Sequence, residues 1–128
     1  MEKSPALAAL SALANETRLD ILRLLVPAGA RGLAAGEIAS TLGASASRLS
    51  FHLATMEEAG LVRARREGRY QRYSVDFAQL GGLIAYLTND CCRGHPAVCA
   101  CIAEGIAGGA GAARPAPAIR AARQDRER

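Results

Sequence analysis

All four cysteines of this 128-residue chain fall within eleven consecutive positions, Cys91-Cys92-Arg93-Gly94-His95-Pro96-Ala97-Val98-Cys99-Ala100-Cys101. Thiolates are the ligands that soft metals and metalloids select. Structural zinc sites favour cysteine pairs separated by two to four residues, each pair clasping two corners of a tetrahedron, and adjacent cysteines suit that poorly. A Cys-Cys pair at a helix end, then an Arg-Gly-His-Pro turn and a third thiol, suits a soft ion in pyramidal three-sulfur coordination, such as As(III) or Sb(III). Two other chemistries could use the same thiols. One is a redox switch between Cys91/Cys92 and Cys99/Cys101. The other is capture of zinc, cadmium or lead by all four, with or without His95.

A second constellation is basic. The net charge is +4, and residues 61–75 hold Arg63, Arg65, Arg66, Arg69 and Arg72 against Glu67 alone, which is nearly all of the surplus. A focused strip of this kind fits a polyanion. The strip has strand character. Leu61–Arg66 reads as extended, Glu67-Gly68-Arg69 as a turn, and Tyr70–Val75 as a second strand with Tyr73 and Val75 on one face and Arg72 on the other. Together they make a β-hairpin.

The rest of the chain must position these two features. Half of the residues are hydrophobic and only five are aromatic, Phe51, Tyr70, Tyr73, Phe77 and Tyr86, so the core is Ala, Leu, Ile and Val, which suits packed helices. The length supports one domain. Leu7, Leu10 and Leu13 mark a first helix. Asn15 caps a second, with Leu19, Leu22 and Val26 as its stripe, widened by Ile21, Leu24 and Leu25, and the pattern breaks at Pro27–Gly32. Ala34–Leu42 is a third helix, stopped by Gly43, and a fourth runs from Ala46 to Ala59 with Ser45 as N-cap and Gly60 as its C-terminal turn. Two short helices joined by a Gly-containing turn are a helix-turn-helix. A last helix spans Asp76–Asp90, with Phe77, Leu80, Ile84 and Leu87 at the spacing of a helix–helix seam. The expected fold is mainly α with a small β-hairpin, a winged helix-turn-helix in the order α-α-α-α-β-β-α.

In such folds the N-terminal part of the second helix of the pair meets base edges. That puts Ser45, Ser47, Arg48, Ser50 and Phe51 in reach of DNA: Arg48 for guanine, the serines for bases or phosphates, Phe51 for thymine methyls. His52, at the edge of the buried Leu49-Leu53-Met56 stripe, reads as a packing or phosphate-contacting histidine and not as a metal ligand. Arg65, Arg66, Arg69 and Tyr70 would form the wing tip on phosphate or in the minor groove.

The runs Asn15-Glu16-Thr17-Arg18-Leu19-Asp20-Ile21-Leu22-Arg23-Leu24-Leu25, Leu49-Ser50-Phe51-His52-Leu53, Glu58-Ala59-Gly60-Leu61-Val62 and Arg65-Arg66-Glu67-Gly68-Arg69 together resemble the ArsR/SmtB family, small homodimeric winged-helix repressors that sense metals and metalloids. The resemblance spans about residues 5–90. It implies an apo homodimer, joined through Leu7 and Leu10 of the first helix and Phe77, Leu80, Ile84 and Leu87 of the last, that binds operator double-stranded DNA. Archetypal arsenic sensors of the family carry Cys-x-Cys in the helix before the turn, whereas Leu33–Ile38 holds no cysteine. The carboxylate–histidine zinc site of other members is missing too, since Phe77–Asp90 has no histidine. The cluster here resembles instead the C-terminal site of a second arsenite-responsive group. Carried over, Cys91, Cys92 and Cys99 are the ligands for As(III) or Sb(III) as inducer, with Cys101 as a substitute for Cys99.

A metal carrier or a thiol enzyme is the rival class. A carrier has no need of an arginine-rich wing. An oxidoreductase needs its cysteine at a helix N-terminus or phosphate loop, and there is no Gly-rich phosphate loop, so the reading is a non-enzyme without organic cofactor. The longest apolar run, Ala97–Ala103, is too short for a bilayer, which needs about 20 residues. With no signal-peptide layout at Met1–Pro5, the expected location is cytoplasmic. Residues 1–104 read as the domain with its cysteine cluster, and 105–128, rich in Gly, Ala, Pro and Arg, as a disordered tail.

Overall fold

The computed structural model of the chain describes residues 1–91 and 95–112 and divides into two compact units, Met1–Leu83 and a second beginning at Ile84. The first unit contains α1 (Lys3–Leu13), α2 (Glu16–Ala28), β1 (Leu33–Ala34), α3 (Ala35–Leu42), α4 (Ala46–Glu58), β2 (Val62–Glu67), β3 (Tyr70–Val75) and most of α5 (Phe77–Ala85). Its core is Ile21 and Leu25 of α2, Ile38 of α3, Leu49, Leu53 and Met56 of α4, and Leu61 and Val62 at the root of the hairpin, all essentially inaccessible to solvent.

Apolar residues outnumber inward positions on the first two helices, and packing chose among them. On α1 the buried face is Ala6, Ala9 and Ala12, while Leu7 and Leu10 point out. Methyl side chains at every third position let the α1 backbone come close to α2 and α4. On α2 the buried residues are Asp20, Ile21, Leu22 and Leu25, and Leu19 and Val26 are exposed. The expected apolar face, Leu19, Leu22 and Val26 widened by Ile21, Leu24 and Leu25, thus holds the three buried apolar residues, and its Leu19 and Val26 edges stay in solvent because the face is wider than the surface its neighbours cover. Asn15 caps α2, its Oδ1 accepting from Arg18 N at 3.1 Å. Pro27 lies inside the last turn of α2 and does not stop it, since the ring's φ is helical and only one backbone bond is forfeited.

The helix-turn-helix is α3 and α4. Gly43 ends α3 in the left-handed region at φ 65°, and Ser45 caps α4, its Oγ accepting from Arg48 N at 3.3 Å. Gly60, at φ 79°, turns the chain into the hairpin. The hairpin gains a third strand that the sequence pattern did not announce. β1 pairs antiparallel with β3, Leu33 opposite Tyr73 and Ala34 opposite Arg72, giving a sheet in the order β1-β3-β2. A two-residue strand has no periodicity to read.

In the second unit the chain leaves α-helical geometry at Tyr86 and forms a π-helical turn, Tyr86–Cys91, so the helix expected over Asp76–Asp90 is α only to Ala85. Thr88 contributes to the change: its hydroxyl donates to Ile84 O at 3.0 Å and Ala85 O at 3.3 Å, competing for carbonyls at the end of α5. A further helix, α6, covers Pro96–Ala112. The tail was expected to lose structure from Gly105, yet α6 runs seven residues past it. Pro96 at its first position is pre-set for a helix, the His95 ring accepts from Ala97 N at 3.1 Å, and alanine is the strongest helix former, which offsets the glycines. The remainder of the expected tail, 113–128, lies outside the described residues.

Candidate nucleic-acid interface

The surface of α4 away from the core carries Ser45, Ser47, Arg48, Ser50 and Phe51, all exposed, with Phe51 at 64% despite its aromatic ring. These are five of the six residues expected on this helix to face DNA. The sixth is corrected. His52 is buried, and its Nδ1 accepts from an Arg18 Nη1–H at 3.1 Å, which leaves the remaining ring proton on Nε2. Of the packing and phosphate-contact readings, burial leaves packing. Arg18 also donates through Nε to the Ala12 carbonyl, so this one guanidinium links α1, α2 and α4. Sequence reasoning assigned Arg18 no role, because an arginine on an apolar helix looks like any solvated cation until its partners are placed.

Burial, and then the nearby guanidinium groups of Arg18 and Arg48, hold the His52 imidazole below its ordinary pKa of 6.5. The unfolded chain therefore binds a proton that the native protein refuses, in the window between the native pKa and 6.5. Stability rises with pH through that window and is lost as pH falls through it. Urea midpoints measured from pH 7.5 downward are expected to drop, and to drop less in His52→Gln. Parallel profiles for the two proteins would remove His52 as the cause.

The hairpin arginines divide by partner. Arg63 pairs with Asp76 at 3.0 Å, and Arg65 lies 3.4 Å from Glu67. Asp76 also caps α5 through Gln79 N at 3.1 Å, and this backbone bond, followed by Arg63, holds its carboxyl below the usual carboxylate range. Arg66 and Arg69 are exposed and make no ion pair among the described residues, and Tyr70 at the tip is 65% exposed. Arg65, Arg66, Arg69 and Tyr70 thus share the outer end of the hairpin. Arg72 is turned inward, against the Arg31 and Gly32 carbonyls.

The residues expected in a dimer seam are apolar and incompletely covered. Leu7 is 56% exposed and Leu10, Phe77 and Ile84 are also exposed, while Leu80 and Leu87 are half-buried. Cys92, and the side chains of Cys91 and Cys99, lie outside the described residues, so the expected ligand set is not on view. Cys91 closes the π-helical turn, Cys99 falls in the first turns of α6, and Cys101 is a free, exposed thiol on the same helix. Among the described residues no group of three or more His, Cys, Asp or Glu could hold a metal ion, and no helix is long and apolar enough to cross a membrane.

A helix pair closed by a glycine turn, an exposed polar face on its second helix and a basic three-stranded wing define a winged helix-turn-helix protein. A family model for a helix-turn-helix domain matches residues 13–65. The transcriptional activator HlyU of Vibrio cholerae is 37% identical over 97 residues, 74% of this chain and 87% of that one. A protein named as an arsenical resistance operon repressor, ArsR, of Halobacterium salinarum is 45% identical over 66 residues, about half of each chain (52% and 50%). Among solved structures, an ArsR-like transcriptional regulator from Rhodococcus sp. RHA1 superposes with TM-score 0.62 at 27% identity, covering 76% of this chain and 89% of that one. A homodimeric winged helix-turn-helix DNA-binding domain from Mycobacterium bovis, a possible ArsR-family regulator, gives TM-score 0.54 at 35% identity over 72% and 85%. The chain belongs to the ArsR family of winged helix-turn-helix transcriptional regulators.

Proposed function

We propose that this protein is a metalloid-responsive transcriptional repressor. As a homodimer it binds operator DNA through the exposed face of α4 and the wing, and it lets go when As(III) or Sb(III) is taken up by the thiolates of Cys91, Cys92 and Cys99, with Cys101 able to replace Cys99. The observation that carries this reading is the concentration of every cysteine in the segment that begins where α5 ends. The relative named for arsenical resistance and the homodimeric relative support it. In the reading, α5 lies in the dimer seam through Phe77 and Ile84, so drawing Cys99 toward Cys91-Cys92 reorients the helix that spaces the two α4 copies. Half-sites one helical turn, about 34–36 Å, apart would then no longer be matched. Coupling of this kind is reciprocal: DNA must weaken metalloid binding by the factor by which metalloid weakens DNA binding.

Its test is fluorescence anisotropy of the reduced protein on a labelled duplex from the DNA upstream of its own gene, titrated with arsenite, antimonite, zinc, cadmium or peroxide. Release by arsenite or antimonite, abolished in Cys91→Ser and Cys92→Ser, is the expected result. Release by peroxide alone would move the assignment to a thiol redox sensor, and release by zinc or cadmium alone to a divalent-metal sensor. Arsenite that binds the thiols without changing DNA affinity would overturn the coupling.

A further inference from the structure

We infer that Arg72 is a positioning residue for DNA binding: it latches the wing to the helix-turn-helix and is not itself a phosphate contact. This rests on the DNA-binding reading above and adds to it what sets the height of the wing. Arg72 differs from the other hairpin arginines in placement. Its side chain is 12% exposed, against 72% for Arg63 and 57% for Arg65, and Arg66 and Arg69 are exposed as well. All its partners lie between the end of α2 and the first turn of α3. Nε donates to Arg31 O at 3.2 Å, Nη2 donates to Gly32 O at 2.9 Å, and Nη1 stands 3.8 Å from Glu37 Oε1. The same Glu37 oxygen accepts from Ala34 N at 2.9 Å, so one carboxylate serves both the start of α3 and the arginine.

The chemistry calls for arginine. A planar guanidinium presents parallel donors to two successive carbonyls and keeps a third toward the carboxylate, whereas an ammonium is a point charge. Without that compensation the position is unfavourable, since Arg72 sits directly opposite Arg65 on the neighbouring strand. The backbone alone is a weak tie, because β1 offers two residues to β3 and the hairpin projects beyond it as a two-stranded ribbon. From Arg72 to the turn at Gly68 is four residues, about 13 Å at strand rise. A tilt of roughly 10° at the base then moves the tip by about 2 Å, enough to break a phosphate hydrogen bond of about 2.9 Å.

The experiment measures affinity for the same upstream duplex across a salt series, for the wild type, Arg72→Lys and Arg69→Ala. Arg72→Lys keeps the charge and the stem and removes the fork. It is expected to bind about tenfold more weakly with the slope of log K against log salt unchanged. Arg69→Ala, which removes a cation from the tip, is expected to make that slope shallower by ~0.9 for each phosphate left unneutralised. Adding Glu37→Gln to Arg72→Lys is expected to cost little more, because the two act as one device. Wild-type affinity in Arg72→Lys, or a shallower slope of the kind expected for Arg69→Ala, would overturn the latch. Amide hydrogen exchange of the DNA-free protein gives a second readout: faster exchange across β1 and β3 in Arg72→Lys upholds the latch, and unchanged exchange overturns it. If the wild type fails to bind the duplex, it is the DNA-binding reading that fails, and the exchange measurement still decides the latch.

Discussion

Gly32→Ala is expected to be the most damaging single substitution in this protein, lowering stability by at least about 4 kcal/mol. Gly32 adopts φ 68°, and a Cβ built on it would lie 1.9 Å from the Tyr73 carbonyl oxygen and 2.7 Å from its carbonyl carbon. Both are backbone atoms of β3, so no side chain can swing away. The alanine can be accommodated only by moving the loop off the sheet, which breaks the pairing of Leu33 with Tyr73 and withdraws the Gly32 carbonyl from Arg72. The internal control is Gly43→Ala. That residue has nearly the same φ, 65°, but nothing within 4 Å of its Cβ position, so only the left-handed penalty of about 1–2 kcal/mol applies. Thermal melts should separate the two, with Gly32→Ala falling by roughly 15 °C or failing to fold and Gly43→Ala by a few degrees. Equal shifts would mean that the close approach to Tyr73 is not a feature of the protein in solution.

Ile38→Ala is the second large effect, expected at about 2–5 kcal/mol. α3 is eight residues long, too short to hold helical geometry alone, and Ile38 is its one fully buried side chain. Truncating it opens a cavity beside the Leu49, Leu53 and Met56 face of α4 and removes most of what ties α3 to the core. The urea midpoint should fall with the denaturant slope unchanged, the sign of lost packing and not of an altered unfolded state. Val at the same position retains most of the packing and should cost only about 0.5–1.5 kcal/mol. If the alanine variant cost no more than the valine one, α3 would be held by its ends and not by its core residue.

Ile38 stands at helical spacing in the sequence, whereas Gly32 shows what spacing along the chain does not carry. Gly43, Gly60 and Ser45 announce themselves, because a helix stop, a turn and a cap are local events whose chemistry is complete within a few residues. Gly32 looks like one more loop glycine, and its requirement appears only when Tyr73, forty-one positions later, is brought against it. Likewise the Leu49, Leu53 and Met56 stripe of α4 was legible because its outer side is polar and only one face could be buried. On α1 that contrast is absent, and the partner helices decided that Ala6, Ala9 and Ala12 go in while Leu7 and Leu10 stay out. His52 sat at the border of two readings until Arg18, thirty-four residues away, supplied the bond that seats it in the core.

By itself the sequence determined the helix-turn-helix, the hairpin and the gathering of all cysteines beyond the last DNA-domain helix, since each is written in spacing along the chain. The tertiary structure alone decided which arginines of the hairpin face outward. Arg66, Arg69 and Arg72 are chemically identical, and a strand pattern places Arg66 and Arg72 only by alternation. What distinguishes them is a pair of backbone carbonyls and a carboxylate about forty residues upstream, which become neighbours only when β1 docks on β3. Charge count is a property of composition, whereas the charge available to a partner depends on which guanidinium groups the fold has already satisfied.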